Sequence, residues 1–254
     1  MALPDTIKGL LEGGVHFGHL SKHWNPKMKK FIFGKKKNVY IIDLEKTAEK
    51  LEEAKDFVKG KAKAGEKILF VATKKQLKSM IKDMASSCNM PYVVERWVGG
   101  LLTNFSTVRK RIEKYISLLE KREKGNFDKM TKKEVVYLNR EIDRMAKNYS
   151  GVISLDGLPS CVYVIDPKRE AACVKEMQKL SIPIVSLIDT DANPDVIDYP
   201  IPGNDDSIKS VKYITTCLVE AINEGSADSS AKEADSPSED QEVTFGKIDQ
   251  DKKE

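Results

Sequence analysis

The span from Gly13 to Ile42 carries no Asp or Glu. It holds Lys22, Lys27, Lys29, Lys30, Lys35, Lys36 and Lys37, with His16, His19 and His23. Phe17, Trp24, Phe31, Phe33 and Tyr40 are interleaved with them. Lysines recruit phosphates by releasing counterions, and aromatic rings stack unpaired bases. A generic Lys-rich run is a solvated face over core aromatics. The length of the acid-free span and the Trp24-Asn25-Pro26 loop within it favour an RNA-facing segment.

A second set of reactive side chains lies where strand-like segments end. Thr73-Lys74 follows one strand, Asp166 another, and Asp189-Thr190-Asp191 a third. Ligands of parallel sheets bind at such carboxyl ends. Thr73 with Lys74 could hold a phosphate at a helix N-terminus, or Thr73 could be a plain N-cap. His16 and His19 with Asp189, Asp191, Asp205 or Asp206 have the chemistry of a metal site. The expectation is no cofactor, with a bound divalent ion on His16, His19, Asp189, Asp205 and Asp206 as the minor alternative. G-x-G-x-x-G, G-x-x-x-x-G-K-[ST] and G-x-S-x-G are all missing. With no nucleophile signature, catalysis and a small-molecule substrate are not expected.

The bulk properties fit. The chain has 254 residues and a net charge of +4. From Ser226 onward 4 Lys face 9 Asp and Glu, so that tail carries −5 and the remainder +9. The tail is too polar to bury surface and reads as disordered. Cys88, Cys161, Cys173 and Cys217 are widely spaced, which suits reduced thiols in a cytoplasmic protein better than disulfides or a metal cluster. No apolar run reaches membrane-spanning length, and the N-terminus has no leader pattern.

The elements that position these groups alternate. A helix spans Thr6 to Glu12 behind Asp5. Strands are expected at Val39–Ile42, Lys67–Ala72, Pro91–Val94, Cys161–Ile165 and Ile182–Ile188, with a short extended piece near Asp198–Ile201. Helices are expected at Asp43–Lys63, from Thr73 to about Ser87, at Lys168–Lys179, and from Asp205 or Asp206 to about Asn223. That order gives an α/β fold with a five-stranded parallel sheet between helical layers.

Between the third and fourth strands the period changes. Val108, Ile112, Tyr115 and Leu119, then Val135, Leu138, Ile142, Met145 and Tyr149, follow heptad spacing. They predict an antiparallel coiled-coil hairpin that projects from the domain, with Gly125-Asn126 as its turn and Thr131 to Glu134 as a capping box. The organisation is then an α/β domain over 1–105 and 150–225, an inserted hairpin over 106–149, and the acidic tail over 226–254.

Several stretches together are similar to a known family: Gly14-Val-His-Phe-Gly-His19, Asn25-Pro-Lys-Met28, Phe31-Ile-Phe33, Arg96-Trp-Val-Gly-Gly-Leu-Leu-Thr-Asn-Phe105, Val164-Ile-Asp-Pro167 and Ile201-Pro-Gly-Asn-Asp-Asp206. Over about residues 5 to 224 the chain resembles the bacterial ribosomal protein S2 family. Members often carry Asp at the position of Ser160, and Asp-Thr-Asn where this chain reads Asp189-Thr-Asp191. The resemblance implies a flavodoxin-like three-layer domain with a projecting hairpin, bound to small-subunit rRNA near the neck between head and body. It implies docking of ribosomal protein S1 and contact with neighbouring small-subunit proteins, in the cytoplasm and without a membrane. It places rRNA contacts at His16, His19, Lys22, His23, Trp24, Asn25, Lys27, Lys29, Lys30, Lys35 and Lys36, with Arg96, Asn104 and Arg109 at the hairpin root. The structural alternatives are capping of the first arm by Asn104 and ion pairing by Arg96.

Overall fold

The computed structural model describes residues 5–125, 127 and 130–234. Two sheets organise the chain. The larger is parallel throughout, in the order β5 (Tyr92–Val93), β4 (Ile68–Val71), β6 (Cys161–Ile165), β7 (Ile184–Ile188), β8 (Tyr199–Pro202). The smaller is antiparallel, β1 (Phe17–Leu20), β3 (Val39–Ile42), β2 (Ile32–Lys36).

Every residue of β4, β6 and β7 is buried, so these strands read as continuous apolar runs covered on both faces. Alternate side chains point to opposite faces, and two cores result. Ile68, Phe70, Tyr163, Val185 and Leu187 pack with helices α1 (Asp5–Glu12), α2 (Leu44–Lys63), α3 (Lys78–Ser87) and α7 (Ile208–Ala234). Leu69, Val71, Val162, Val164 and Ile184 pack with α6 (Ala171–Leu180), the loop around Trp97 and Leu101, and the helical insert. The result is three layers.

The five-strand parallel sheet holds, but its membership differs from the sequence reading. Val39–Ile42 is not its first strand. Lys37 and Asn38 both have positive φ, 48° and 66°, the geometry of a tight two-residue hairpin turn, so β3 folds back on β2. Its half-buried pattern fits a sheet with one wet face. The place at the sheet edge goes to the extended piece near Ile201. Its two prolines, Pro200 and Pro202, are tolerated because an edge strand need not donate every N–H.

Two helix ends also differ. The helix expected from Thr73 begins at Lys78 and has no side-chain cap. The last helix runs to Ala234, into the stretch 226–254 expected to be a disordered tail, while residues 235–254 lie outside those described. Asp205 and Asp206 do not cap it; Ser207, just before it, accepts the Ser210 amide on its hydroxyl at 3.5 Å, and Asn204 Oδ1 shapes the turn ahead by accepting the Asp206 and Ser207 amides.

The helical insert consists of α4 (Phe105–Glu123) and α5 (Lys132–Tyr149). Val108, Ile112, Tyr115 and Leu118 meet Ile142, Met145 and Tyr149 in one apolar cluster, with Leu119, Val135 and Leu138 at its margin. Lys114 bonds Glu141 across the pair at 2.8 Å. The capping box forms: Thr131 Oγ1 accepts the Glu134 amide and the Glu134 carboxylate accepts the Thr131 amide. Gly125 has φ +70°, and Asn126, the other expected turn residue, lies outside the described residues.

Candidate nucleic-acid interface

The acid-free span folds as a unit. After α1 the chain runs through β1, a 3-10 turn over Pro26–Phe31, then β2 and β3. The glycine of Phe17-Gly-His is dictated by packing: a Cβ on Gly18 would sit 2.5 Å from Thr190 Cγ2. This close approach joins the small sheet to the end of β7, and the Thr190 hydroxyl accepts the His19 amide at 2.9 Å. Met28 and Phe31 anchor the 3-10 turn in the core, and Asn25 caps it by accepting the Lys27 amide at 3.0 Å.

The candidate contact residues then separate. Lys22, His23, Lys29, Lys30, Lys35, Lys36 and Arg96 are exposed, and among the described residues none of them takes part in a side-chain ion pair. Lys30 lies over the Phe31 ring, 5.1 Å from its centroid. Asn104 is exposed at the N-cap of α4 without a side-chain capping bond.

The others are occupied. Lys27 pairs with Asp195 at 2.6 Å. Trp24 packs on Tyr40 with ring centroids 4.9 Å apart. Arg109 is a clasp at the root of the insert, donating to Leu155 O and pairing with Asp156, both at 3.1 Å. His16 leans on Phe17, its buried Nδ1 has no hydrogen-bond partner among the described residues, and burial lowers its pKa. Among the interleaved aromatics Phe33 stays 79% exposed and Phe17 50%. With Leu11 and His16, Phe33 lines a depression of about 310 Å³.

The strand-end groups form a closed knot. Lys74 Nζ is buried and contacts Asp205 at 2.7 Å, Asp206 at 2.8 Å and Asp166 at 3.0 Å. Burial opposes its charge, but the three carboxylates outweigh that and hold the ammonium protonated. His19 Nδ1 pairs with Asp189 at 2.9 Å and Nε2 faces Asp206 at 3.5 Å. The hydrogen bond to Asp189 raises the imidazole pKa to about 9. Burial, with Asp166 and Asp189 nearby, raises Asp205 to about 7 despite Lys74. Lys168 pairs with Asp191 alongside at 2.8 Å.

Here the phosphate reading of Thr73-Lys74 fails. The lysine is consumed by acids, four carboxylates face one ammonium and one imidazolium, and Thr73 Oγ1 is bonded to Glu170. Anions have no place in such a field. His19, Asp189, Asp205 and Asp206 do converge, but as ion pairs. Among the described residues no group of His, Cys, Asp or Glu is arranged to hold a metal ion.

Composition gave no hint of Glu176. Its carboxylate accepts from Trp97 Nε1 at 3.0 Å and from the amides of Gly100 at 2.7 Å, Leu102 at 3.2 Å and Thr103 at 3.2 Å. Partial burial pushes its pKa up, yet these donors win and hold it low. One carboxylate thus fixes the Arg96-to-Phe105 loop that launches α4. Its helical spacing looked like any solvated acid.

Fold and site together define a class: an α/β scaffold protein whose sheet crevice is filled by its own side chains and whose free charge lies on an appended basic sheet. Comparison with known proteins agrees. The family described as Ribosomal protein S2 matches residues 10–225, and the chain belongs to that family, whose members are structural rather than enzymatic components of the ribosome. It is 48% identical over 237 residues to the "Small ribosomal subunit protein uS2" of Dictyoglomus turgidum, covering 93% of this chain and 96% of the relative. The protein of the same name from Coprothermobacter proteolyticus is 49% identical over 220 residues, covering 87% and 82%.

Proposed function

We propose that this chain is a structural constituent of the small ribosomal subunit in the cytoplasm, binding small-subunit rRNA near the head–body neck through its N-terminal basic sheet. The observation that carries this is the contrast in charge pairing: Lys22, Lys29, Lys30, Lys35 and Lys36 stand exposed with no acidic partner among the described residues. Unpaired lysines on a rigid sheet lose little on meeting phosphates and release counterions as they do so. Family membership supports the assignment.

The test is rebinding to small subunits stripped of this protein. The full chain should co-sediment, and a Lys22→Ala/Lys29→Ala/Lys30→Ala variant should rebind with a weaker salt dependence. A chain that stays soluble at low salt would overturn the reading.

Docking of ribosomal protein S1 and contact with neighbouring subunit proteins belong to the same proposal. The exposed apolar group of Leu11, Phe17 and Phe33 supports a protein partner on this side. Phe33→Ala should reduce the S1 retained by rebuilt subunits while leaving rebinding of the chain itself intact. Unchanged S1 occupancy would remove the dock.

A further inference from the structure

The sequence holds a single Asp-Gly pair, Asp156-Gly157, and no Asn-Gly pair. It sits in the connection from α5 to β6. Buried Leu155 and Pro159 pin this connection on either side, and Asp156, Gly157 and Leu158 are exposed between them. Neither conformation nor packing demands glycine here. Gly157 is not among the residues with positive φ, and a Cβ on it would meet open space. Gly151, earlier in the same connection, has no such room because Tyr92 lies against it.

The Asp156 side chain is 86% exposed, and Arg109 pairs with its Oδ1 at 3.1 Å. Arg109 also donates to Leu155 O, so it grips this connection at two adjacent residues. Among the described residues the Gly157 amide donates no hydrogen bond. A free amide, an exposed carboxylate and a residue without Cβ are therefore neighbours in the chain. At Asp166, Asp205 and Asp206 the matching amides are blocked. Asp166 precedes Pro167, which has no amide hydrogen. The amides that follow Asp205 and Asp206 are given to Asn204 Oδ1.

We propose that Asp156-Gly157 is a site of spontaneous succinimide formation, and that its isoaspartyl product unfastens the root of the helical insert. The Gly157 nitrogen attacks Cγ of Asp156. Its proton and the carboxyl hydroxyl leave as water, and a five-membered imide remains. Water then opens the ring. Attack at the α-carbonyl leaves a free α-carboxylate and a main chain that runs through Cγ. One water is lost, one is regained, and nothing is oxidised or reduced. Glycine favours closure because it has no side chain to crowd the nitrogen and its backbone rotates freely. The product adds one carbon to the main chain and relocates the carboxylate, so both Arg109 contacts lose their geometry. Before reaction the same ion pair restrains the carboxylate. Exposed pairs are weak, so the restraint slows closure without preventing it. The free α-carboxylate is the group that an isoaspartyl methyltransferase esterifies with S-adenosylmethionine, which makes the aged chain a substrate for that class of repair enzyme.

The experiment ages the full chain in warm neutral buffer and maps its peptides. Isoaspartate should accumulate at Asp156. An isoaspartyl methyltransferase with labelled S-adenosylmethionine should methylate the aged chain there and leave fresh chain unlabelled. Gly157→Ala, whose methyl has room, should form the product several-fold more slowly. Asp156→Glu should form none at this position, because its ring would need six members. Arg109→Gln should speed formation by up to about fivefold, which corresponds to the ~1 kcal/mol ceiling of an exposed pair. Amide hydrogen exchange over residues 150–155 should rise in the aged chain and stay constant in aged Gly157→Ala. Absence of isoaspartate at Asp156, or equal rates in Gly157→Ala and the unaltered chain, would overturn the site. An unchanged rate in Arg109→Gln, or unchanged exchange in the modified chain, would overturn its link to the insert.

Discussion

Two neighbouring regions use the same basic chemistry to opposite ends. In the N-terminal basic unit Lys22, Lys29, Lys30, Lys35 and Lys36 have no acidic partner among the described residues, and their charge projects into solvent. At the strand ends, Lys74 is surrounded by Asp166, Asp205 and Asp206, and its charge is spent inside the protein. His19 belongs in sequence to the first region and in space to the second, where Asp189 holds it. The charge of a side chain therefore says little about binding until its nearest opposite charge is known. A parallel sheet's usual ligand crevice has here become a structural joint, and the small added sheet has become the working face.

The sharpest way to break the comparison is to remove Lys74. Lys74→Ala leaves buried carboxylates uncompensated and should cost about 3 to 5 kcal/mol in urea unfolding. A loss below about 1 kcal/mol would mean the knot is not a joint. The Lys22→Ala/Lys29→Ala/Lys30→Ala variant should do the reverse. Its stability should stay within about 0.5 kcal/mol, while the salt slope of subunit rebinding falls by about 2 to 3. Equal effects of the two variants on both readouts would erase the distinction.

Glu176→Gln tests a joint built on backbone donors. It keeps the shape but weakens charge-assisted bonds, so about 1 to 3 kcal/mol should be lost, with Trp97 fluorescence reporting a loosened loop. The smallest effect is expected from His19. Its folded-state pKa of about 9 lies above the usual 6.5. The stability it adds is full below about pH 6.5 and fades as pH rises through 9. Because the ring is partly exposed, the change should be about 1 kcal/mol. His19→Gln should flatten that part of the stability–pH curve, and an unaltered slope would show that His19 is not the titrating group.

The local features were legible in the chain. The Thr131–Glu134 capping box appears as read, because it depends on residues within one turn, and α4 and α5 form where the helical spacing lies, although Leu118 rather than Leu119 is the buried residue of the first arm. The continuous apolar run of Lys67–Ala72 marked a strand covered on both faces, and β4 is buried throughout. Two things were not legible. Val39–Ile42 looked like a parallel strand because four β-forming residues carry no mark of which sheet they join. The Lys37-Asn38 turn that settles it needs two left-handed residues, and neither is glycine. Glu176 was invisible because its partners, Trp97 to Thr103, are more than seventy positions away.

By itself the sequence determined where the acids are missing, where strands and helices must alternate, and that the insert is a helical pair. These are properties of composition and short-range period, fixed before any tertiary contact forms. Only the tertiary structure decided which lysines are free. Lys27 and Lys74 look no different from Lys29 in the chain, yet Asp195 claims the first and three aspartates claim the second. That choice depends on contacts between residues distant in sequence, which the folded backbone alone brings within the few ångströms where charges neutralise one another.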